Sequence, residues 1–345
     1  MTGRDVAFAL AAPLMLRVPA QGQEFNSAQI RTAVTKSLHL METSSRTWIE
    51  KSGCVSCHHQ AVPALAFALA RPRGFRVDEE ALRERVQATL ARFAPTREDL
   101  YSGPAGIGLI GGGPLGAAYA LLALAAAKVA PNPTTDALAH FIVARQMIDG
   151  RFRSPDPGRL PLEGSDATAT ALSVRALQLY APPSLERETA DALRRARTWL
   201  LSAQPQSTED RASQLQGLGW LDVERSVTAT YVAMLVAEQR TDGGWSQLPD
   251  LASDAYATGR VLVAVHEAGG LPTSSTVYRK GLSFLLESQA ADGSWLVVSR
   301  ARGTQPYIES GFPYGSDQFI SAAGTAWATS ALLLSLKVTP APGSR

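Results

Sequence analysis

The chain has 345 residues, 45% of them hydrophobic and 19% charged, with a formal net charge of +2. That is too apolar for a disordered chain and fits a globular protein with a large core. Near-neutral charge without a dense Lys/Arg cluster argues against a nucleic-acid or acidic-lipid partner.

Residues 1–20 read as an export signal. Arg4 precedes the apolar run Val6 to Leu16, and Val18-Pro19-Ala20 offers small residues for cleavage. The competing reading is an amphipathic N-terminal segment, because Asp5 dilutes the positive region. With the signal adopted, the expected location is periplasmic or secreted. The longest other apolar run, Leu115 to Val129, is short and Ala-rich and reads as a buried helix, so no transmembrane anchor is expected.

Helical periodicity starts near residue 27, and the first helix runs into Gly53-Cys54-Val55-Ser56-Cys57-His58-His59-Gln60. These are the only two cysteines, three residues apart, so they mark local chemistry and not a disulfide framework. Three readings compete. Cys-x-x-Cys-His is the attachment signature of heme c: Cys54 and Cys57 form thioethers at one porphyrin edge and His58 ligates the iron. The sixth ligand stays open among His39, His140, His266, Met41 and Met147, with His59 adjacent to His58 and expected to point away, and a five-coordinate iron is a further option. The second reading is a Cys54–Cys57 disulfide or a metal pair, though one compact run makes a poor tetrahedral zinc site. In the third, Ser-Gly-Cys at the start of a barrel helix resembles complement-type thioester domains, with Cys57 and Gln60 at the bonding spacing. His58-His59 stands where that family has Gly-Glu.

Further along, helices pair as 27–50/58–70, 78–94/113–128, 133–146/165–180, 187–204/208–221, 226–239/252–268 and 274–289/319–337. Pro131-Asn132-Pro133 and Ala181-Pro182-Pro183 separate pairs as breakers should. A repeat runs through the later pairs. Its fullest copy is Lys280-Gly281, Phe284-Leu285, Gln289, Asp292-Gly293-Ser294-Trp295. Other copies are Met234, Gln239, Asp242-Gly243-Gly244-Trp245 and Phe141, Gln146, Asp149-Gly150-Arg151-Phe152. A partial copy, Trp199-Leu200 and Gln204, lacks the Asp-Gly. Apolar residues at helical period lead into the Gln, Asp-Gly turns the chain, and the Gln amide can hold backbone groups at the helix end. Ser165-Asp166-Ala167-Thr168 and Ser253-Asp254-Ala255-Tyr256 then look like N-caps of apolar helices.

These segments resemble the QW repeats of the squalene–hopene cyclase and prenyltransferase superfamily, well over residues 130–337 and by helix pattern before that. The resemblance implies an all-α fold, an α6/α6 barrel (toroid) of helical-hairpin repeats, in which each motif closes an outer helix and the next helix lines the ring. One barrel domain over 25–337 is expected, with a flexible tail over 338–345. Cyclases of that family protonate an alkene with an Asp in an Asp-x-Asp-Asp run. The matching place here is Glu163-Gly164-Ser165-Asp166, with Ser165 where the second Asp would be. Alkene protonation needs an unusually strong acid, so Asp166 and Asp254 read better as caps. The related protein prenyltransferases hold zinc with Asp, Cys and His, and no cysteine occurs in the later repeats.

The long polar-aromatic segment from Ser299 to Gln318 precedes the last inner helix. Long loops in compact domains are often functional. Arg300, Tyr307, Glu309, Tyr314 and Asp317 are therefore candidates to line a cavity mouth beside Cys54 to His58, and Asp166 joins them as a catalytic candidate. The alternative is a loop that plugs the barrel end. The leading expectation is an exported barrel carrying heme c, working with a redox partner in electron transfer or heme-linked oxidation near an apolar pocket. The alternative is a terpenoid cyclase-like or lipid-binding barrel without heme, with an apolar or isoprenoid-like ligand. A thioester-bearing or partner-binding scaffold is the third.

Overall fold

The computed structural model describes residues 26–52, 57–102, 113–155, 158–301 and 307–339. The expected export segment, Cys54 and the last six residues lie outside these. Thirteen α-helices are found among the described residues. They are α1 Ser27–Ser52, α2 Val62–Ala70, α3 Glu79–Phe93, α4 Arg97–Tyr101, α5 Gly113–Ala126, α6 Pro133–Val143 and α7 Asp166–Tyr180. The rest are α8 Glu186–Ser202, α9 Thr208–Trp220, α10 Arg225–Ala237, α11 Ala255–Glu267, α12 Thr276–Ser288 and α13 Gln318–Leu334. A two-stranded ribbon, β1 Trp245–Ser246 and β2 Ser253–Asp254, pairs antiparallel with Trp245 opposite Asp254. No described helix is long and apolar enough to cross a membrane.

Helices α2, α5, α7, α9, α11 and α13 form an inner ring. Each packs on the next, and α13 returns to α2, closing the circle. These helices are buried over most of their surface: every residue of α11 from Ala255 to Val265 is buried, as fits a helix with neighbours on all sides. The outer helices are one-sided. On α8 the buried residues Thr189, Ala192, Ala196 and Leu200 recur every three or four positions. At Gly259 of α11 an added Cβ would lie 2.5 Å from the Ala328 nitrogen of α13, so glycine permits that close approach.

The repeat motif ties the two layers together. The Gln289 amide donates to the Gly293 carbonyl at 3.0 Å and to the Ala33 carbonyl of α1 at 3.0 Å. Gln146 bridges Gly150 and Ala192 of α8, and Gln239 bridges Gly243 and Val277 of α12, in the same way. Each Gln thus fastens its own turn to the following outer helix, and Gln289 joins the last outer helix to the first. The turn glycines have positive φ, and a Cβ on Gly293 would lie 2.6 Å from Lys36 Cβ. The aromatic residue after each turn donates its backbone N–H to an inner-helix threonine: Phe152 to Thr170, Trp245 to Thr258 and Trp295 to Thr325. In the partial fourth repeat Gln204 reaches only its own Ser202 carbonyl, and Gln214 of α9 instead holds the Leu200 and Ala203 carbonyls.

The observed helix pairs follow the expected ones within a few residues. Two local differences stand out. Ser165, not Asp166, caps α7, accepting from the Thr168 N–H at 3.1 Å. And Cys57–Ala61 forms a π turn before α2.

Candidate functional site

The inner-helix N-termini gather at one end of the barrel. There the π turn buries Cys57, His58 and His59, and His58 is only 1% exposed. The His58 ring centroid lies 4.8 Å from those of Trp48 and Phe319 and 4.7 Å from that of His59. The two histidines face each other through Nδ1, and His59 Nε2 lies 2.8 Å from Ser310 Oγ. Burial lowers both imidazoles, His59 to about 3. The Cys57 thiol is free and donates to Glu163 Oε1 at 3.5 Å. Burial, reinforced by the Glu163 charge, pushes that thiol up. Arg159 in turn donates through Nε to Glu163 Oε2 at 2.7 Å.

This packing does not fit a porphyrin. A heme plane on His58 Nε2 needs open space around that nitrogen, and three aromatic rings surround the imidazole within 5 Å. The second attachment residue, Cys54, lies outside the described residues. One feature runs the other way: His58 Nε2 is buried without a hydrogen-bond partner. Of the sixth-ligand candidates, His140 packs on Tyr101, His266 sits beside Tyr278, and His59 is the histidine in contact with His58. Among the described residues no group of three or more His, Cys, Asp or Glu has a metal-ligating arrangement.

The catalytic candidates are spread over the same end without converging. Asp166 accepts from the Ser154 N–H at 2.8 Å and pairs with Arg151 at 3.4 Å, half-exposed. Arg300 Nε donates to Gln247 Oε1 at 2.8 Å, and Gln247 donates to Asp254 Oδ2 at 2.9 Å. Asp254 caps α11, and burial lifts its carboxyl to about 6. Tyr307, 54% exposed, donates to Glu309, which also accepts from the Gly311 N–H at 2.9 Å. Asp317 accepts from the Ser299 N–H at 2.9 Å, and Tyr314 meets Ser294. Ser310 and Phe312 of this loop are buried against His59. The described part of the loop therefore covers the cysteine–histidine turn.

Midway along the axis lies a polar network that the sequence reading did not foresee. Glu209 accepts from Tyr256 Oη at 3.0 Å, Thr168 Oγ1 at 2.9 Å, Ser213 Oγ at 2.8 Å and Arg260 Nε at 3.3 Å. Arg260, 1% exposed, also reaches Gln216 at 2.6 Å and Ser213 at 2.8 Å, and lies over the Trp327 ring at 4.7 Å. Burial and then the Glu209 charge hold the Tyr256 hydroxyl well above its usual range.

Beyond this network, toward the helix C-termini, a cavity of about 370 Å³ opens. All six inner helices line it. Its wall includes Leu65, Leu122, Leu172, Val263, Trp220 and Trp327, and its polar groups are Gln216, Ser330, Arg175 and Glu267. Leu179 and Glu267 are exposed at its rim. Burial among protein groups still raises the Glu267 carboxyl above the ordinary range, opposed by the nearby His266 and Arg260. The volume suits a small-molecule site, about 300–1,000 Å³. The signal for it was in the sequence: Leu172, Arg175 and Leu179 put a cation on the inward stripe of an otherwise apolar helix.

No family model and no curated protein matches the sequence. Among solved structures the chain is similar to the type II terpene cyclase MstE of Scytonema, in an arginine variant bound to geranylgeranyl dihydroxybenzoate. That match has 13% identity, a TM-score of 0.59, and covers 91% of this chain and 99% of the other. The chain is an α6/α6 toroid. A possible GH105 family member from Salmonella enterica shares 14% identity at a TM-score of 0.56, over 96% and 99% of the two chains. An ent-copalyl diphosphate synthase from Streptomyces platensis shares 17% at a TM-score of 0.53, over 81% of this chain and 50% of its own length. At these identities the likeness is one of fold.

Proposed function

We propose that this toroid binds an apolar, isoprenoid-like ligand in the cavity at the C-terminal ends of its inner helices. The observation that carries this reading is the cavity itself, walled mainly by aliphatic side chains and two tryptophans, with residues from all six inner helices. The ligand printed for one structural neighbour, MstE, is a geranylgeranyl compound of the same chemical class. The chemistry favoured is binding, not acid-initiated cyclisation at this cavity. Glu267 is its lining carboxyl, and burial makes that group a weaker acid, opposite to what alkene protonation requires. The test is titration with geranylgeraniol, reading tryptophan fluorescence, beside an Ala125→Trp variant that fills the wall. Saturable quenching that the variant loses supports the proposal. No saturable change, or equal binding by the filled variant, overturns it.

Covalent heme c on Cys54 and Cys57, with His58 on the iron and a redox partner, is the second reading. The partnerless His58 Nε2 favours it, and it requires the ring cluster around His58 to open. A pyridine hemochrome spectrum of protein exported from a heme-attaching host, with and without Cys57→Ala, decides it. Export to the periplasm or beyond belongs to this reading, and the mass of the mature N-terminus checks it.

A further inference from the structure

Arg85 on α3 is 5% exposed, and none of its three guanidinium nitrogens has a hydrogen-bond partner. This is unusual for a group that carries five donors and a permanent charge. Taking such an ion from water without a partner is strongly unfavourable. The Phe67 ring lies 4.7 Å from the guanidinium carbon and covers one side. That cation–π contact supplies attraction but accepts no hydrogen bond in the plane of the guanidinium.

The nearby carboxylates are committed elsewhere. Asp78 caps α3, accepting from the Glu80 and Ala81 N–H groups at 3.0 Å, and pairs with Arg46. Glu42 accepts from the Asp78 N–H at 2.9 Å. Both acids lie close enough to raise the guanidinium's proton affinity, but neither contacts it, and desolvation lowers its pKa to about 10. Arg46 and Arg71 add positive charge to the same neighbourhood.

Beside Arg85 is a cavity of about 10 Å³ between α2, α3 and α5, lined also by Gln60, Ala64, Leu82, Val86, Thr89 and Leu124. That leaves room for one monatomic particle of about water to halide size. We propose that this cavity is a binding site for one small monovalent anion of halide size, chloride being the available one, held in the guanidinium fork of Arg85. A water would satisfy hydrogen bonds but leave the charge unpaired. The site is separate from the axial cavity and meets the cysteine–histidine turn only at Gln60, and it clamps the second hairpin's outer helix onto the inner ring.

Two measurements on the full chain test this. Thermal unfolding is followed as chloride replaces gluconate at constant ionic strength. Ligand linkage predicts a melting temperature that rises with the logarithm of chloride concentration above the dissociation constant. Arg85→Met should flatten that rise while still folding, since Met fills the apolar part of the site, and Arg85→Lys should retain part of it. Crystals grown in bromide should show one anomalous peak within hydrogen-bonding reach of the guanidinium. Equal chloride dependence in wild type and Arg85→Met overturns the proposal, as does a bromide-grown crystal with only water beside Arg85.

Discussion

Replacing Glu209 by leucine should destabilise the barrel by roughly 3–5 kcal/mol, the range for stranding one half of a buried ion pair. The structure shows why the loss is not absorbed. Arg260 is 1% exposed and cannot reach solvent. It would keep its bonds to Gln216 and Ser213 but lose the carboxylate that neutralises it. Thr168 and Ser213 already lie 2.8 Å apart and can satisfy each other. The Tyr256 hydroxyl has no such substitute, which adds a share of about 1–3 kcal/mol for an unsatisfied buried donor. The double variant Glu209→Leu/Arg260→Met removes both charges, and apolar replacement of a buried pair is often neutral. The two substitutions should therefore couple by about 2 kcal/mol or more, with the double closer to wild type than Glu209→Leu alone. Urea unfolding followed by far-UV circular dichroism, with slopes compared, measures all four corners. A single-variant loss under about 1 kcal/mol, or a double variant equal to the sum of the singles, would refute this account of the network.

Gln289→Ala should cost about 1–2 kcal/mol for two lost backbone contacts, and Gly293→Ala more, because strained φ adds about 1–3 kcal/mol to the clash with Lys36; reversed ranking in the same unfolding assay would count against the ring clasp. The Asp254 carboxyl is raised to about 6 from an ordinary value of 3.8. Its proton binding stabilises the fold fully below about pH 4 and that contribution is lost as pH rises through about 6. Asp254→Asn should therefore lose less stability than wild type between those values, and parallel pH profiles would rule this out. The Cys57 thiol, buried and pushed up by Glu163, should resist iodoacetamide at neutral pH until unfolding; alkylated Cys57 recovered by peptide mass mapping of native protein contradicts that.

The repeat was legible because its parts are local. Gln289, Asp292, Gly293 and Trp295 each do in the structure what their types suggest within a few residues of chain. The reach of Gln289 to Ala33 was not legible, since ring closure is a property of the whole circle. The axial cavity hid for another reason: its leucines and alanines are indistinguishable in sequence from packed core, and Arg175 and Glu267 are the only charged groups among its lining residues. Arg85 hid for the opposite reason. An arginine in a charged helix reads as solvated surface, and its isolation emerges only once its potential partners are seen bound to others. The cysteine motif was conspicuous as chemistry, yet whether it holds a cofactor depends on the space around His58, which no five-residue pattern encodes.

The two ends of the barrel are chemically unlike, and the difference bears on the ligand. At the N-terminal end the orphan helix N–H groups are taken up by Ser165, Ser207 and Asp254. At the other end the cavity opens among helix C-termini, where free carbonyls concentrate partial negative charge. Each such terminus disfavours an anion by about 0.3–1 kcal/mol at low salt. Arg175, partly exposed at the rim and donating to Gln178, offsets only part of a field drawn from six helices and Glu267. A neutral isoprenoid alcohol should therefore bind more tightly than its diphosphate, and the gap should shrink as salt screens the field. Fluorescence titrations with geranylgeraniol and geranylgeranyl diphosphate at two ionic strengths measure this. Tighter binding of the diphosphate at low salt would mean that Arg175 dominates the mouth, and that the cavity is built for a charged head group instead.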